Sequence, residues 1–207
     1  MSYKKSTEKR QQILDCAKHL FAERGYQAAQ IADICDELHI ARGTVYQYFD
    51  NKEDLFRTIL TEYFERIGKN LDSAEIGEDF AADGVPSLEI IRELLVNGTE
   101  QFLLHMYRDR DIGRIILFEG LYQIPDVAKI VGEFFAERKA RAIKYLEIGV
   151  ALGLVRKIDI QLIATAMQGT VSRVILDHII NGNINSEQQL HEMAVELVNF
   201  QLNGILP

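Results

Sequence analysis

Apolar residues recur along most of the chain at intervals of three and four, the spacing of one helical face. The first such stripe, Ile13, Ala17, Leu20 and Phe21, predicts a helix from about Thr7 to Arg24, with Gly25 as its stop. Two short segments follow, Gln30 to Leu38 and about Ala41 to Tyr48. Asn51 then reads as an N-cap, and Glu53 and Asp54 fall in the first turn, where carboxylates suit the helix dipole. That helix runs past Phe64 toward Asn70. Residues 72–85 are acidic and glycine-containing and read as a loop. Pro86 opens a helix to about Tyr107, and Ile112 to Tyr122 forms a shorter, strongly apolar one. After Pro125 a long helix runs to about Leu152 and is closed by Gly153. Asp159 starts another to Ile180, stopped by Asn-Gly-Asn at 181–183, and Ser186 caps the last, to about Leu202. Strand signals are nearly absent. The pattern predicts an all-α protein: three helices, a linking helix and five more.

Three short helices with a tight joint between the second and third describe a helix-turn-helix module, whose third helix enters the DNA major groove. The chemistry of IARGTVYQYFDNKEDL, residues 40–55, fits that use. Gly43 removes side-chain bulk where a backbone approaches DNA. Thr44 offers a short hydroxyl, Arg42 and Gln47 are able to read guanine or adenine edges, and Tyr46 and Tyr48 present phenols to phosphates. Lys52 adds a charge at the start of the next helix, and Gln30 at the entry to the second helix joins these candidates. Val45 and Phe49 are left to face the core. Net charge is -8, which by itself speaks against nucleic acid, but residues 1–57 carry nine Lys/Arg against nine Asp/Glu. The excess acid therefore belongs to residues 58–207, while the first ten residues are basic.

The segments ILDCAKHLFAERGY (13–26), IADICDELHIARGTVYQYF (31–49) and NKEDL (51–55) resemble the TetR family of transcriptional regulators. The later helices match it in number, spacing and the element GLVRKID at 153–159. The resemblance implies an N-terminal three-helix DNA-binding domain (1–52) and a larger helical effector-binding and dimerisation domain (53–207). It also implies a homodimer built from the last two helices. Three positions depart from the family pattern. Ala29 stands where a Thr or Ser caps the second helix, His39 where the turn has Gly, and Ala41 where the recognition helix begins with Ser. A lost cap costs about 1 kcal/mol; a non-glycine residue in a left-handed turn costs about 1–2 kcal/mol.

In the larger domain Arg138 sits at the centre of an apolar stripe of Val131, Phe134, Ala142, Tyr145, Gly149 and Leu152. A buried arginine must find a partner. Glu119, alone among apolar side chains in IILFEGLY, is one, giving a structural ion pair; snorkelling to the surface is another solution. Alternatively either residue lines an effector pocket, where Arg138 would hold a carboxylate or phosphate and Phe102, His105, Phe118, Tyr122, Phe134 and Tyr145 would be lining. The helices near 160–180 and 187–202 are apolar on more than the faces one subunit needs, with Ala166, Gly169 and Thr170 permitting close approach. A four-helix contact between two subunits would pair two recognition helices on a near-palindromic double-stranded operator.

Other chemistry has little support. There is no CxxC, and the five histidines lie far apart, so no metal is expected. No nucleophile–base set or phosphate loop occurs, so neither cofactor nor enzymatic activity is expected. No uncharged run approaches the length of a membrane span, and a cytoplasmic location is expected. Cys16 and Cys35 sit in apolar patterns as small hydrophobes. The reading is a ligand-responsive DNA-binding transcriptional regulator, a repressor released from its operator by a small molecule. The alternative is a helical small-molecule- or partner-binding protein whose DNA-binding module has weakened.

Overall fold

The computed structural model describes residues 2–72, 87–119 and 125–206, with side chains at 6–68, 87–117 and 125–206. Nine α-helices and no strand occur among them. They are α1 (Ser2–Arg24), α2 (Ile31–Leu38), α3 (Arg42–Tyr46), α4 (Lys52–Asp72), α5 (Leu88–Arg108), α6 (Arg110–Arg114), α7 (Pro125–Ala151), α8 (Ile160–Val174) and α9 (Glu187–Asn203). α6 and α8 each continue into a wider π-helical stretch, Ile115–Glu119 and Ile175–Ile180. The expected loop lies outside the described residues, except for Asp72, which ends α4. So does the stretch that would have carried the apolar helix on to Tyr122.

The chain divides into two compact units: Met1–Glu65 with Arg110–Glu133, and Arg66–Asp109 with Phe134–Pro207. Compactness divides the chain within α4 and α7, so each of these helices contributes to both units.

The first unit is built on the stripe of α1. Ile13, Ala17, Leu20 and Phe21 are all but fully buried. Phe21 meets the Phe56 ring edge-on at 5.0 Å between centroids, and Tyr26 completes a triangle with them, 4.9 Å from Phe56 and 5.7 Å from Phe21. Gly25 has φ +80, the left-handed stop expected of it. The N-cap of α2 is Gln30 rather than Ala29, which is buried in the core. There the Gln30 N–H donates to the Asp33 carboxylate at 2.7 Å, so the absence of a hydroxyl at Ala29 leaves no gap in the cap. Asn51 caps α4, its side-chain oxygen accepting from the Asp54 N–H at 2.8 Å, and Asp54 accepts in return from the Asp50 N–H at 3.0 Å.

His39 closes α2 with φ 51 and ψ 49, the left-handed conformation that favours glycine. The Ile40 N–H reaches back to the Cys35 carbonyl at 3.0 Å in a Schellman arrangement. His39→Gly relieves the Cβ strain of about 1–2 kcal/mol and adds about 0.5–1 kcal/mol of unfolded-state entropy cost. The expected result is a net stabilisation of about 0.5–1 kcal/mol, read as a higher urea midpoint at unchanged slope.

Between α1 and α6, His19 Nδ1 lies 3.1 Å from the Asp111 carboxylate, with Glu23 at 3.5 Å on its other nitrogen. The hydrogen bond to Asp111, more than the nearby charges of Asp111, Glu23 and Glu37, raises the imidazole above its ordinary 6.5. The stability this pair contributes is fully present below that ordinary value and is lost as pH rises through the higher folded value. His19→Gln is therefore expected to shrink the difference in melting temperature between about pH 5.5 and about pH 8.5. An unchanged difference would remove the pair as its source.

In the second unit α5 and α9 pack along each other. The core combines Phe102, Leu103 and Met106 with Leu190, Ala194, Leu197 and Val198. α5 begins two residues later than the position of Pro86 suggested, with Ser87 Oγ accepting from the Ile90 N–H at 3.3 Å. The GLVRKID element acquires a physical explanation. Gly153 (φ +73) ends α7. Leu154 and Val155 donate to the Gly149 carbonyl, and a Cβ on Gly149 would stand 2.7 Å from Val155 Cγ2. Arg156 then fastens the loop to the end of α9, its guanidinium on the Gly204 carbonyl at 2.8 and 3.2 Å and its N–H on Ile205 at 3.0 Å. Asp159 caps α8 through the Leu162 N–H at 3.0 Å. Stop, clamp and start occupy seven residues.

Candidate functional site

α3 is a single turn and a half, held by what it buries. Val45 is wholly buried and Phe49, just beyond the helix, nearly so, as the pattern required. Arg42, Gly43, Tyr46 and Gln47 are exposed, while Thr44 and Tyr48 are half-buried. Tyr46 is 51% exposed. Ser6 donates its hydroxyl to the Tyr48 phenol oxygen at 3.3 Å, tying the N-terminal part of α1 to the end of the recognition segment. This link spans 42 residues and leaves no mark in local sequence.

Gly43 has no protein atom within 4 Å of where its Cβ would stand, and its φ is not in the left-handed region. Neither packing nor backbone conformation requires a glycine there. A glycine here leaves the backbone open to close approach from outside the chain. Gly43→Ala is expected to leave stability unchanged or slightly higher, by up to about 1 kcal/mol of helix propensity, while weakening DNA binding roughly 5–150-fold through steric overlap of about 1–3 kcal/mol. Parallel denaturation and DNA-anisotropy titrations check both halves.

Lys52 sits differently from the exposed cation expected. Its ammonium donates to the carbonyls of Tyr26 at 2.8 Å, Ala29 at 3.0 Å and Gln27 at 3.3 Å, and lies 4.4 Å from the centroid of the Tyr26 ring. An ammonium has three N–H donors, and three carbonyls receive them. Burial lowers the lysine's pKa. Lys52 thus closes the α1–α2 connection onto the start of α4. Gln30 is exposed at the head of α2. Ala41 caps α3 without a side-chain hydrogen bond, as its methyl group dictates. Cys16 and Cys35 are buried free thiols. Burial, with Glu37 and Cys35 nearby, pushes the Cys16 thiol up to about 11, which disfavours the reactive thiolate.

The second unit holds a cavity of about 230 Å³ between α5, α7, α8 and the end of α9. Each helix contributes one face. α7 gives Arg138, Arg141, Ala142 and Tyr145, at i, i+3, i+4 and i+7, with Lys139 beside them. α5 gives Leu94, Leu95, Gly98, Thr99 and Phe102, and α8 gives Ala164, Met167, Gln168, Val171 and Ser172. Of the residues expected to line an effector site, Phe102, Arg138 and Tyr145 do so. Phe134 lies behind them, its ring 6.2 Å from Phe102 and 5.7 Å from the Arg138 guanidinium. His105 is not part of the lining; burial, with Arg66 and Arg108 nearby, lowers its pKa. The side chains of Phe118 and Glu119, and all of Tyr122, lie outside the described residues, and with them the Arg138–Glu119 pair. The three-four spacing of α8 from Ala164 to Val171 marks a face distinct from the one expected at a subunit contact, and that face forms the α8 wall of the cavity.

Among the described residues no cluster of His, Cys, Asp and Glu suits a metal ion, and no helix is long and apolar enough to cross a membrane.

Residues 13–59 match the sequence model of bacterial regulatory proteins of the tetR family. An HTH-type transcriptional regulator of Bacillus subtilis, YdgC, is 22% identical over 204 residues, covering 98% of this chain and 95% of its own. The ketosteroid transcriptional regulator KstR2 of Mycobacterium tuberculosis has the same fold, with a TM-score of 0.75 at 18% identity over 96% of this chain and 95% of that one. So does the transcriptional regulator FadR of Bacillus subtilis in complex with stearoyl-CoA, with a TM-score of 0.67 at 21% identity over 94% and 98%. The segment 13–59 thus carries the sequence pattern of the tetR family, and over its whole length the chain is similar to these regulators in sequence or in all-α fold, which supports a TetR-family regulator.

Proposed function

We propose that the protein is a ligand-responsive transcriptional repressor that binds double-stranded DNA as a homodimer in the cytoplasm and is released by a small-molecule effector. The observation that carries this reading is the surface of α3. Arg42, Gly43, Tyr46 and Gln47 stand exposed over a fully buried Val45, and Gly43 is a glycine the fold does not need. Arg42 and Gln47 read base edges, Tyr46 and Thr44 meet phosphates, and Gly43 lets the backbone close on the DNA. Lys52 serves by holding the module together.

Dimerisation through α8 and α9 is supported by what those helices leave uncovered. Leu162 and Phe200 are 63% and 69% exposed, and Ala166 and Gly169 are exposed small residues of α8. Two such faces form an isologous four-helix contact. The effector occupies the cavity between α5, α7 and α8. Relatives named for ketosteroid regulation and for a stearoyl-CoA complex support an effector with a large apolar body. Because α4 and α7 each contribute to both compact units, a ligand that prefers one arrangement of these helices acts on DNA affinity by that preference.

The test is anisotropy of the protein on DNA from just upstream of its own gene, beside a scrambled duplex, at two salt concentrations. Preference for the upstream DNA with affinity falling as salt rises is expected. No binding to either duplex at low salt would overturn the repressor reading in favour of a helical ligand-binding protein with an inactive DNA module.

A further inference from the structure

The buried face of α1 continues beyond the core it helps to build. Extended toward the N-terminus at helical spacing, the face that buries Ile13 and Ala17 carries Arg10 and then Ser6. The Arg10 guanidinium pairs with the Glu62 carboxylate of α4 at 2.6 Å and lies 5.4 Å from the centroid of the Phe49 ring. One turn earlier, the exposed Ser6 donates its hydroxyl to the Tyr48 phenol oxygen at 3.3 Å. Tyr48 follows directly on the recognition helix and its cap Gln47, so this end of α1 lies beside the segment that closes α3.

The same end holds the positive charge of the DNA-binding module. Residues 1–10 contain Lys4, Lys5, Lys9 and Arg10 against Glu8 alone. Taking these from the nine against nine of residues 1–57 leaves five Lys/Arg against eight Asp/Glu for residues 11–57. Most cations of the module are engaged inside it. Arg10, Arg24 and Arg57 pair with Glu62, Asp33 and Asp54, Lys52 is held by three carbonyls, and Lys18 is also engaged. Lys9 has no carboxylate partner among the described residues. It stands three residues from Ser6 on one helix surface, where side chains are neighbours. Tyr48, accepting from Ser6, keeps its own O–H to donate elsewhere, and a hydroxyl that accepts one hydrogen bond donates the next more strongly.

We propose that the N-terminal part of α1 is a second contact with the DNA backbone, outside the helix-turn-helix. The Tyr48 phenol donates to a phosphate oxygen, Ser6 holds that phenol in position, and Lys9 brings its ammonium to the same strand. DNA is the occupant because this surface is continuous with Tyr46 and Gln47 and offers donors and positive charge rather than apolar area. The inference rests on α3 being the DNA-reading helix of the proposed repressor and adds a further element to its interface.

The experiment is anisotropy of the full-length protein on the upstream and scrambled duplexes over a range of salt, well below each variant's melting transition. Lys9→Gln is expected to weaken both duplexes alike, by about threefold or more, and to lower the salt slope by about 1.8 for the dimer, one phosphate contact in each half-site. Lys9→Arg is expected to keep the slope. Tyr48→Phe retains the ring and is expected to weaken both duplexes by about fivefold or more, and Ser6→Ala by less. Ser6→Ala is expected to add nothing once Tyr48→Phe is present, because Ser6 acts through that hydroxyl. A bond that only joins α1 to the module predicts wild-type DNA affinity in both of these variants. That result, a wild-type slope in Lys9→Gln, or full additivity of Ser6→Ala and Tyr48→Phe would overturn the proposal. A wild-type protein that binds neither duplex would sink the repressor reading and this inference with it, whereas sequence-specific wild-type binding with an unmoved slope in Lys9→Gln sinks the inference alone.

Discussion

Arg42→Ala is expected to weaken operator binding by about 1–3 kcal/mol for each half-site, roughly 5–150-fold, and to relax sequence preference at one base pair of each half-site. The substitution should leave folding untouched. Arg42 is exposed at the first residue of α3, and the helix is fixed instead by Val45 and Phe49 beneath it. At the N-terminal end of a groove-entering helix, an arginine fork reaches a guanine edge or a phosphate, and the two differ in what they change. Loss of a guanine contact lowers affinity for the cognate duplex alone. Loss of a phosphate contact lowers affinity for every duplex and reduces the salt slope by about 0.9 for each half-site, about 1.8 for the dimer. Titrating wild type and variant against duplexes altered one base pair at a time, at two salt concentrations, separates them. Unchanged affinity for all duplexes would remove Arg42 from the interface.

The parts of this protein that could be read from sequence are those whose physics is local. Gly25 stops α1 because its left-handed φ is a property of one residue, and Asn51 caps α4 because its partner is three residues away. Val45 and Phe49 are buried as their spacing requires. The misassigned cap of α2 shows the limit of that reasoning. The position was sought by matching a hydroxyl, and Ala29 has none; the chain instead caps through the Gln30 backbone and the Asp33 carboxylate. His39 was legible as a strained position, and its φ of 51 agrees.

Distant partners were harder to find. Arg138 could be recognised as an arginine in an apolar stripe, but not the Phe102 ring beneath it as its neighbour, nor the α8 wall opposite. Periodicity reports that a helix has two apolar faces without saying which neighbour covers each. α8 divides them between a cavity, through Met167 and Val171, and an uncovered side at Leu162. Arg156 was visible as part of a short element, whereas its acceptor, the Gly204 carbonyl, belongs to the backbone and has no side-chain signature.

Lys52 shows the same blindness with a larger consequence, since its three acceptors are all backbone carbonyls. Lys52→Met should remove every donor together with the cation over the Tyr26 ring, leaving the Tyr26, Gln27 and Ala29 carbonyls without their ammonium. Hydrogen bonds to a charged group are worth about 1.5–3 kcal/mol net, so the expected loss is of that size. For a chain of this length it corresponds to a fall in melting temperature of roughly 3–12 °C. Lys52→Arg should rescue only part of it, because a planar guanidinium cannot point three donors at convergent carbonyls as an ammonium does. Measured well below the transition, the variant's operator affinity should fall while its salt slope stays that of the wild type. A phosphate-contacting lysine predicts the opposite pair of results: an unchanged melting temperature and a slope lower by about 0.9 for each half-site, about 1.8 for the dimer. Stability and salt slope together therefore distinguish a lysine that holds the reading module in shape from one that touches the DNA.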